Sequence, residues 1–226
     1  MYRSIIQILK SNLYFFIPLI IFYCFGIFRM LFYSKVDTHL FFNQWVGNKF
    51  FDEFFKYATF LGDGWFVIAV GILWLFKNIR QGVMILISYS LAGGFVSILK
   101  NFVFDEYRPS FAFNFFFKDK IVKYVDGVEL LALNSFPSGH STAAFALFSS
   151  LALFEKNHWI KFIYALMAII VAFSRVYLSQ HWLNDILVGS LIGLLVSFVV
   201  YSFFEKYQFL IRKDKGLMGK NFFSSR

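Results

Sequence analysis

The chain has 226 residues, of which 59% are hydrophobic and only 15% are charged, and its mean hydropathy is +0.63. Soluble domains are about 45–50% apolar and about 25% charged, so this composition excludes an ordinary soluble domain, and the apolar content also excludes disorder. The net charge is nevertheless +9. The single cysteine, Cys24, cannot form an internal disulfide. We therefore expect one integral membrane domain over residues 1–226.

Apolar runs alternate with short polar turns along the chain. A helix needs about 20 residues to cross a hydrocarbon core of roughly 30 Å. The second and fourth runs must borrow flanking residues to reach this length. The first run is too long for a signal peptide and no cleavage site follows it, so we interpret it as an uncleaved anchor. The predicted spans are Leu13–Tyr33, Trp65–Phe76, Met84–Phe104, Ser141–Phe154, Ile160–Leu178 and Trp182–Phe204.

The segment between the first two spans has a different pattern. From His39 to Phe60 apolar residues recur at helical spacing but are interrupted by charges, which predicts an amphipathic helix in the membrane interface. Its role as a lid, a lipid gate or an anchor stays open. The predicted fold is thus an all-α polytopic membrane bundle of about six transmembrane helices plus this interfacial helix.

The positive charge is distributed unevenly between the two sides of this topology. Both chain ends and the turns at Lys77–Arg80 and Glu155–Lys161 together hold twelve Lys and Arg and three acids, whereas the rest of the chain holds ten of each. Short cytoplasmic loops are enriched in Lys and Arg. We therefore expect cytoplasmic termini, including a basic tail at 205–226, in an inner cell membrane. The excess is a topology signal and indicates no nucleic-acid surface.

Polar residues gather at the predicted outward ends of four consecutive helices. Ionisable groups inside spans are usually functional or paired, because burying a lone charge is costly. These residues can therefore converge on one site. They are Lys100, Arg108-Pro109, Pro137-Ser138-Gly139-His140, Ser174-Arg175, His181 and Asp185.

This set suits phosphate chemistry. Three cations and the backbone N–H groups of a helix start match the non-bridging oxygens of a phosphate. His181 and Asp185 are i and i+4, which places them on one helix face, where the carboxylate can hold Nδ1–H and leave Nε2 as a nucleophile. His140 is left to protonate the leaving oxygen. No Asp or Cys cluster has metal-ligand spacing, so we expect no metal or other cofactor.

At these residues the chain resembles the type 2 phosphatidic acid phosphatase superfamily. Its second motif, Pro-Ser-Gly-His, stands at 137–140, and its third stands complete as Ser174-Arg175, His181 and Asp185. The first motif has six residues between its Lys and Arg-Pro, whereas seven separate Lys100 from Arg108. Either Lys100 is the ligand and the helix end absorbs the extra residue, or Arg108 alone binds phosphate and Lys100 approximates its usual place. The resemblance covers about 65–195.

The resemblance implies a role for each matched residue. His181 would attack phosphorus to form a phosphohistidine, Asp185 would orient it, and His140 would protonate the leaving group and then assist water. Pro109 and Ser174 would support the motifs. The phosphoryl oxygens would be held by Lys100, Arg108, Ser138, Gly139 and Arg175. Vanadate-dependent haloperoxidases share this pocket, but they are soluble and longer.

The expected function is therefore a membrane phosphatase that removes a phosphate or diphosphate group from a lipid at the outer interface. Phosphatidic acid or phosphatidylglycerol phosphate, a polyprenyl diphosphate and a lipid A-type phosphate are equally open as substrates. A non-catalytic membrane protein or lipid transporter of the same fold is the alternative, although such a protein would be expected to lack the nucleophile or the acid. His39 and His158 have no motif around them, and we interpret both as interfacial side chains.

Overall fold

The computed structural model describes residues 5–207, and Arg3 and the basic tail beyond Tyr207 lie outside this range. The described residues form α-helices, one 3-10 turn and loops, without strands. The helices are α1 (Ile5–Ser11), α2 (Leu13–Phe32), α3 (Lys35–Asn43), α4 (Lys49–Ala58), α5 (Gly64–Lys77), α6 (Ile79–Phe102), α7 (Pro109–Phe115), α8 (Gly139–Phe154), α9 (His158–Tyr177) and α10 (Leu183–Lys206), with the 3-10 turn at Thr59–Gly62.

Four of the described helices are long and apolar enough to cross a membrane, namely α2, α6, α9 and α10. The segment Lys49–Gly62 and α5 would pass as a fifth span if they were continuous, but a bend of 55° separates them at Asp63, whose side chain caps α5. Helix α8 is apolar but has only 16 residues. The protein is thus an all-α multi-pass membrane bundle, as predicted, and the count of six crossings stays a prediction.

Helix α8 lies at the centre of the bundle. Every residue from Ser141 to Leu153 is buried, and α8 packs against α6, α9 and α10. Small residues permit this closeness, since a Cβ at Gly189 or Gly193 of α10 would collide with the α8 backbone at Ser138 or Thr142. Close approach through small residues is the usual way in which membrane helices pack. The tight contact fixes the start of α8 beside the start of α10.

The interfacial segment differs from the single helix predicted for His39–Phe60. It forms two helices, α3 and α4, followed by the 3-10 turn. The break falls at Gly47, whose φ of +97° is left-handed backbone that glycine adopts without strain. Asn48 then starts α4 by accepting a hydrogen bond from the backbone N–H of Phe50 at 3.1 Å. The short helices α1 and α7 were also not predicted, because neither has enough residues to show a clear periodicity.

Candidate active site

The polar residues singled out in the sequence come together where α6, α8, α9 and α10 meet. The end of α6 carries Lys100 and the end of α9 carries Arg175. The start of α8 provides Ser138 to His140. Arg108 immediately precedes α7, and the charges of Lys100, Arg108 and Arg175 act electrostatically on both His140 and His181. Distant parts of the sequence thus form one cationic site.

His181 lies between Asp185 and Arg108. Its Nδ1 is 3.4 Å from Asp185 Oδ2, and its Nε2 is 3.5 Å from Arg108 Nη1. A guanidinium can only donate, so Nε2 facing it holds the lone pair and the ring proton is on Nδ1. Nδ1 lies on the side of the carboxylate, at a separation longer than an ordinary hydrogen bond. His181 itself precedes α10 and does not share a helix face with Asp185, contrary to the prediction. The pair meets because Asp185 reaches back from the first turn of α10.

The surroundings of His181 favour the neutral form of its imidazole. The side chain is almost completely buried, and this burial, together with the positive charges of Arg108, Arg175 and Lys100, holds its pKa well below the ordinary value. Both effects disfavour the protonated ring. A neutral ring at physiological pH keeps the Nε2 lone pair available to an electrophile.

Arg108 is fixed by the loops around it. Its Nε donates to the carbonyl of Leu133 at 2.8 Å, and its Nη1 donates to the carbonyl and side-chain oxygens of Gln180 at 3.0 and 3.1 Å. Arg108 as a whole residue is 7% exposed. Pro109 follows as the first residue of α7, where the missing N–H costs nothing. Arg108 is therefore held in place before any ligand arrives.

Lys100 reaches the same site despite the longer first motif. Its Nζ donates to the carbonyl of Asn134 at 2.7 Å, and Arg108 Nη2 lies 3.5 Å from that carbonyl. The extra residue is absorbed where α6 ends, since the N–H groups of both Val103 and Phe104 point to the carbonyl of Leu99. The helix end thus brings Lys100 beside Arg108.

Arg175 contacts the 3-10 turn that follows α4. Its Nη1 donates to Thr59 Oγ1 at 2.7 Å, and the residue is 8% exposed. The same turn covers the start of α8, because a Cβ at Gly62 would meet the carbonyl of His140 at 2.8 Å. The interfacial segment therefore forms one wall of the site.

The start of α8 has the features of an anion site. Ser138 caps the helix, and its N–H donates to the carbonyl of Asp185 at 3.0 Å. A Cβ at Gly139 would meet no atom within 4 Å, so open space lies over this helix N-terminus. Ser174 lies outside this arrangement, since its Oγ donates to the carbonyl of Val171 at 2.6 Å. Its contribution is to helix α9 itself.

Sequence reasoning missed four residues around this site. Ser135 donates to Asp185, Gln180 accepts from Arg108, and Thr59 accepts from Arg175. The fourth, His39, was interpreted as interfacial but is 2% exposed, and its Nε2 is 3.1 Å from Ser179 Oγ. These are loop or interfacial residues without a periodic or motif signal. Only their proximity to the motifs could have suggested them.

The chain matches the model of the PAP2 superfamily over residues 81–209, more than half of its length and close to the expected 65–195. It belongs to the PAP2 superfamily. A solved PAP2 relative, described as Aquifex aeolicus LpxE, superposes with a TM-score of 0.63 at 27% identity, covering 73% of this chain and 93% of that one.

Two curated proteins match part of the chain. Phosphatidylglycerophosphatase B of Bacillus subtilis strain 168 is 38% identical over 32% of this chain and 40% of its own length. An undecaprenyl-diphosphatase of Sulfolobus acidocaldarius is 31% identical over 58% of this chain and 59% of its own. The chain therefore spans between two fifths and three fifths of these PAP2 relatives.

Proposed function

We propose that this PAP2 protein is a membrane phosphatase that hydrolyses a phosphomonoester or diphosphate on a lipid. One observation carries the proposal: His181 Nε2 faces the Arg108 guanidinium while Nδ1 faces Asp185. A phosphate bound by Arg108 would present its phosphorus to the free lone pair. Family membership and the names of the two curated relatives support the same reaction class.

The first step transfers the phosphoryl group to the enzyme. Lys100, Arg108, Arg175 and the N–H group of Gly139 bind the non-bridging oxygens and neutralise their charge. The Nε2 lone pair forms a P–N bond while the P–O bond to the lipid breaks. Burial and the neighbouring cations lower the pKa of His140 in the empty site. The negative charge of a bound phosphate raises it again, so that His140 takes up the proton that it then gives to the departing oxygen. Asp185 stabilises the positive charge that develops on the ring.

The second step restores the enzyme. Water attacks the phosphohistidine, His140 accepts its proton, and the P–N bond breaks with its electron pair returning to Nε2. Inorganic phosphate leaves if the substrate was a monoester or a terminal phosphate. The cycle returns both histidines to their starting protonation.

We place this site at the outer membrane surface, with both termini cytoplasmic. The support is the charge distribution, since the site and the termini belong to opposite ends of the helices. A headgroup can then enter from water while the lipid chains stay in the membrane.

Phosphate release from a panel of purified lipids tests the activity. The panel comprises phosphatidic acid, phosphatidylglycerol phosphate, undecaprenyl diphosphate and a lipid A-type phosphate, with and without divalent ions. We expect phosphate release from at least one lipid and inhibition of this release by vanadate. His181→Ala should abolish the release. His158→Ala is the control and should keep it, because the His158 ring stacks on Tyr14 at the opposite end of α9. Release that survives His181→Ala, or no release from any lipid, would refute the proposal.

Site-specific labelling tests the orientation. Cys24 is exposed, so it is first replaced by Ser. A cysteine is then introduced at Lys120, in the loop between α7 and α8, or at Lys156, in the turn before α9, and both positions are exposed. A membrane-impermeant maleimide applied to intact cells should label the first variant only, whereas labelling of the second alone would reverse the orientation.

A further inference from the structure

A hydrophobic groove runs along the outside of the bundle between α4 and α9. It has a volume of about 580 Å³ and includes Phe54, Tyr57, Ala58, Leu61, Met167 and Ile170 in its walls. This volume lies within the range of small-molecule ligand sites, about 300–1,000 Å³. Lipid-facing side chains are expected on any membrane helix, and here they line a concave surface that includes the small, buried Ala58.

The groove begins at the candidate active site. Ala58 and Leu61 flank Thr59, and Thr59 accepts the 2.7 Å hydrogen bond from Arg175. The turn Thr59–Gly62, which directly follows Ala58, also covers the backbone of His140 through Gly62. The same short segment thus contacts the cationic site on one side and the groove on the other.

The groove then extends away from the cations along α9. Ile170 and Met167 precede Arg175 by five and eight residues, which corresponds to about 8 and 12 Å at 1.5 Å per residue. Because Arg175 lies at the end of a membrane-spanning helix, this direction leads into the hydrocarbon layer. A molecule with its phosphate at Arg175 would have its chain directed along this path.

The chemistry of the walls suits hydrocarbon and not phosphate. Among the described residues that line the groove, the only charged side chain is Glu53, an exposed carboxylate that would repel an anionic headgroup. The cations lie at one end of the groove and the apolar surface along it. This separation matches a lipid phosphate, in which one charged group ends an apolar chain.

We propose that this groove binds one hydrocarbon chain of the substrate lipid while its phosphate lies among the cations. The inference rests on the proposed phosphatase function and goes beyond it, because it gives the interfacial segment a role in substrate selection. Apolar burial is worth about 0.8 kcal/mol for each methylene, so a few methylenes in the groove suffice for a tenfold preference for long chains.

Filling the groove tests the proposal. Ile170→Trp and Met167→Trp each place a large ring in the groove. Leu191→Trp on α10 is the control, because Leu191 is an exposed apolar residue that lies outside the groove. The purified proteins are assayed with two pairs that differ only in chain length, namely dioleoyl and dibutyryl phosphatidic acid, and farnesyl and isopentenyl diphosphate. The pair that the wild type hydrolyses is used.

For the groove variants we expect KM for the long-chain substrate to rise about tenfold, with KM for the short-chain substrate and kcat for both unchanged. The control should match the wild type on both. Equal effects on long and short substrates, or no effect on either, would overturn the groove assignment and show that only bulk lipid occupies it. A wild type inactive on all four probes and on the full lipid panel would instead refute the phosphatase function.

Discussion

Ser135 Oγ donates a hydrogen bond of 2.5 Å to Asp185 Oδ2, the oxygen that also faces His181 Nδ1. The same oxygen accepts the backbone N–H of Trp182 at 2.9 Å. Both donors are fixed in the protein, so the carboxylate has one orientation. Asp185 can orient His181 because Ser135 and the start of α10 orient Asp185 first.

Replacing Ser135 should therefore impair catalysis more than binding. Hydrogen bonds to charged groups contribute about 1.5–3 kcal/mol, so we expect Ser135→Ala to lower kcat roughly 10- to 100-fold and to leave KM within about twofold. Ser150→Ala is the matched control, because that buried hydroxyl bonds only within α8, to the carbonyl of Ala146. Steady-state kinetics and melting temperatures measure both variants. A normal kcat in Ser135→Ala would contradict the role.

The buried contact between His39 and Ser179 predicts a second positioning effect. Ser179 has a left-handed φ of 54°, and His181 follows two residues later. His39 Nε2 lies 3.1 Å from the Ser179 hydroxyl, and its ring packs against Phe113 and Trp182. Burial lowers the pKa of His39 to about 4, so this contact is between neutral groups at physiological pH.

A double-mutant cycle should show that these two residues act together. A neutral hydrogen bond contributes about 0.5–1.5 kcal/mol, so His39→Phe and Ser179→Ala should each lower kcat roughly 2- to 10-fold, and the double variant should lose no more than the worse single one. KM should stay unchanged, since neither residue contacts the phosphate site. Additive losses in the double variant would show that the two side chains act independently.

The pKa of His181 predicts how activity depends on pH. In the free enzyme the ring must be neutral to attack, and Arg108 disfavours protonation. Arg108→Gln removes a positive charge, so the pKa of His181 rises, more of the ring is protonated at a given acidic pH, and less nucleophile is available. The acid limb of kcat/KM, which reports the free enzyme, should lie below the ordinary histidine range in the wild type and move to higher pH in Arg108→Gln, when rates are measured from acidic to neutral pH.

Arg80→Gln provides the control for this shift. Arg80 pairs with Glu205 at 2.9 Å at the far end of the bundle, so its loss changes the net charge equally without a nearby effect on His181. A weaker activity in Arg108→Gln with an unmoved acid limb would mean that Arg108 serves phosphate binding alone.

The elements that sequence reasoning predicted well are those with a repeated signal. Continuous apolar runs predicted most ends of α2, α6, α9 and α10 to within a few residues. Such long apolar runs are typical of helices that cross a membrane. The motif residues Lys100, His140 and Arg175 were predicted to converge because alternate crossings return the chain to the same surface.

The elements that were missed depend on single contacts. Thr59, Ser135 and Gln180 are neutral polar residues in loops, and their side chains have partners far away in sequence. The break at Gly47 depends on one backbone angle within a segment that otherwise has helical spacing. A hydrogen bond between side chains that are distant in sequence leaves the spacing of apolar residues unchanged. One residue with a left-handed φ also leaves that spacing unchanged, so neither feature can be detected from it.

The glycines at the site give a last prediction, in which stability and binding separate. A Cβ at Gly139 would meet no protein atom, whereas a Cβ at Gly189 would collide with the backbone of Ser138. Gly139→Ala should therefore keep its melting temperature, because the added methyl has room. It should raise KM several-fold, because the methyl occupies the space over the α8 N-terminus where a phosphate would lie.

Gly189→Ala should show the opposite balance. Its methyl would push α10 away from α8, and overpacking of this kind costs typically 1–3 kcal/mol, so we expect a lower melting temperature and a poorer yield. Gly93→Ala on α6 is the neutral comparison, since a Cβ there meets nothing within 4 Å and the position lies away from the site. Thermal unfolding in detergent and steady-state kinetics on the three variants decide the matter. If Gly139→Ala were as unstable as Gly189→Ala, the space over the helix start would be a packing requirement and no phosphate pocket.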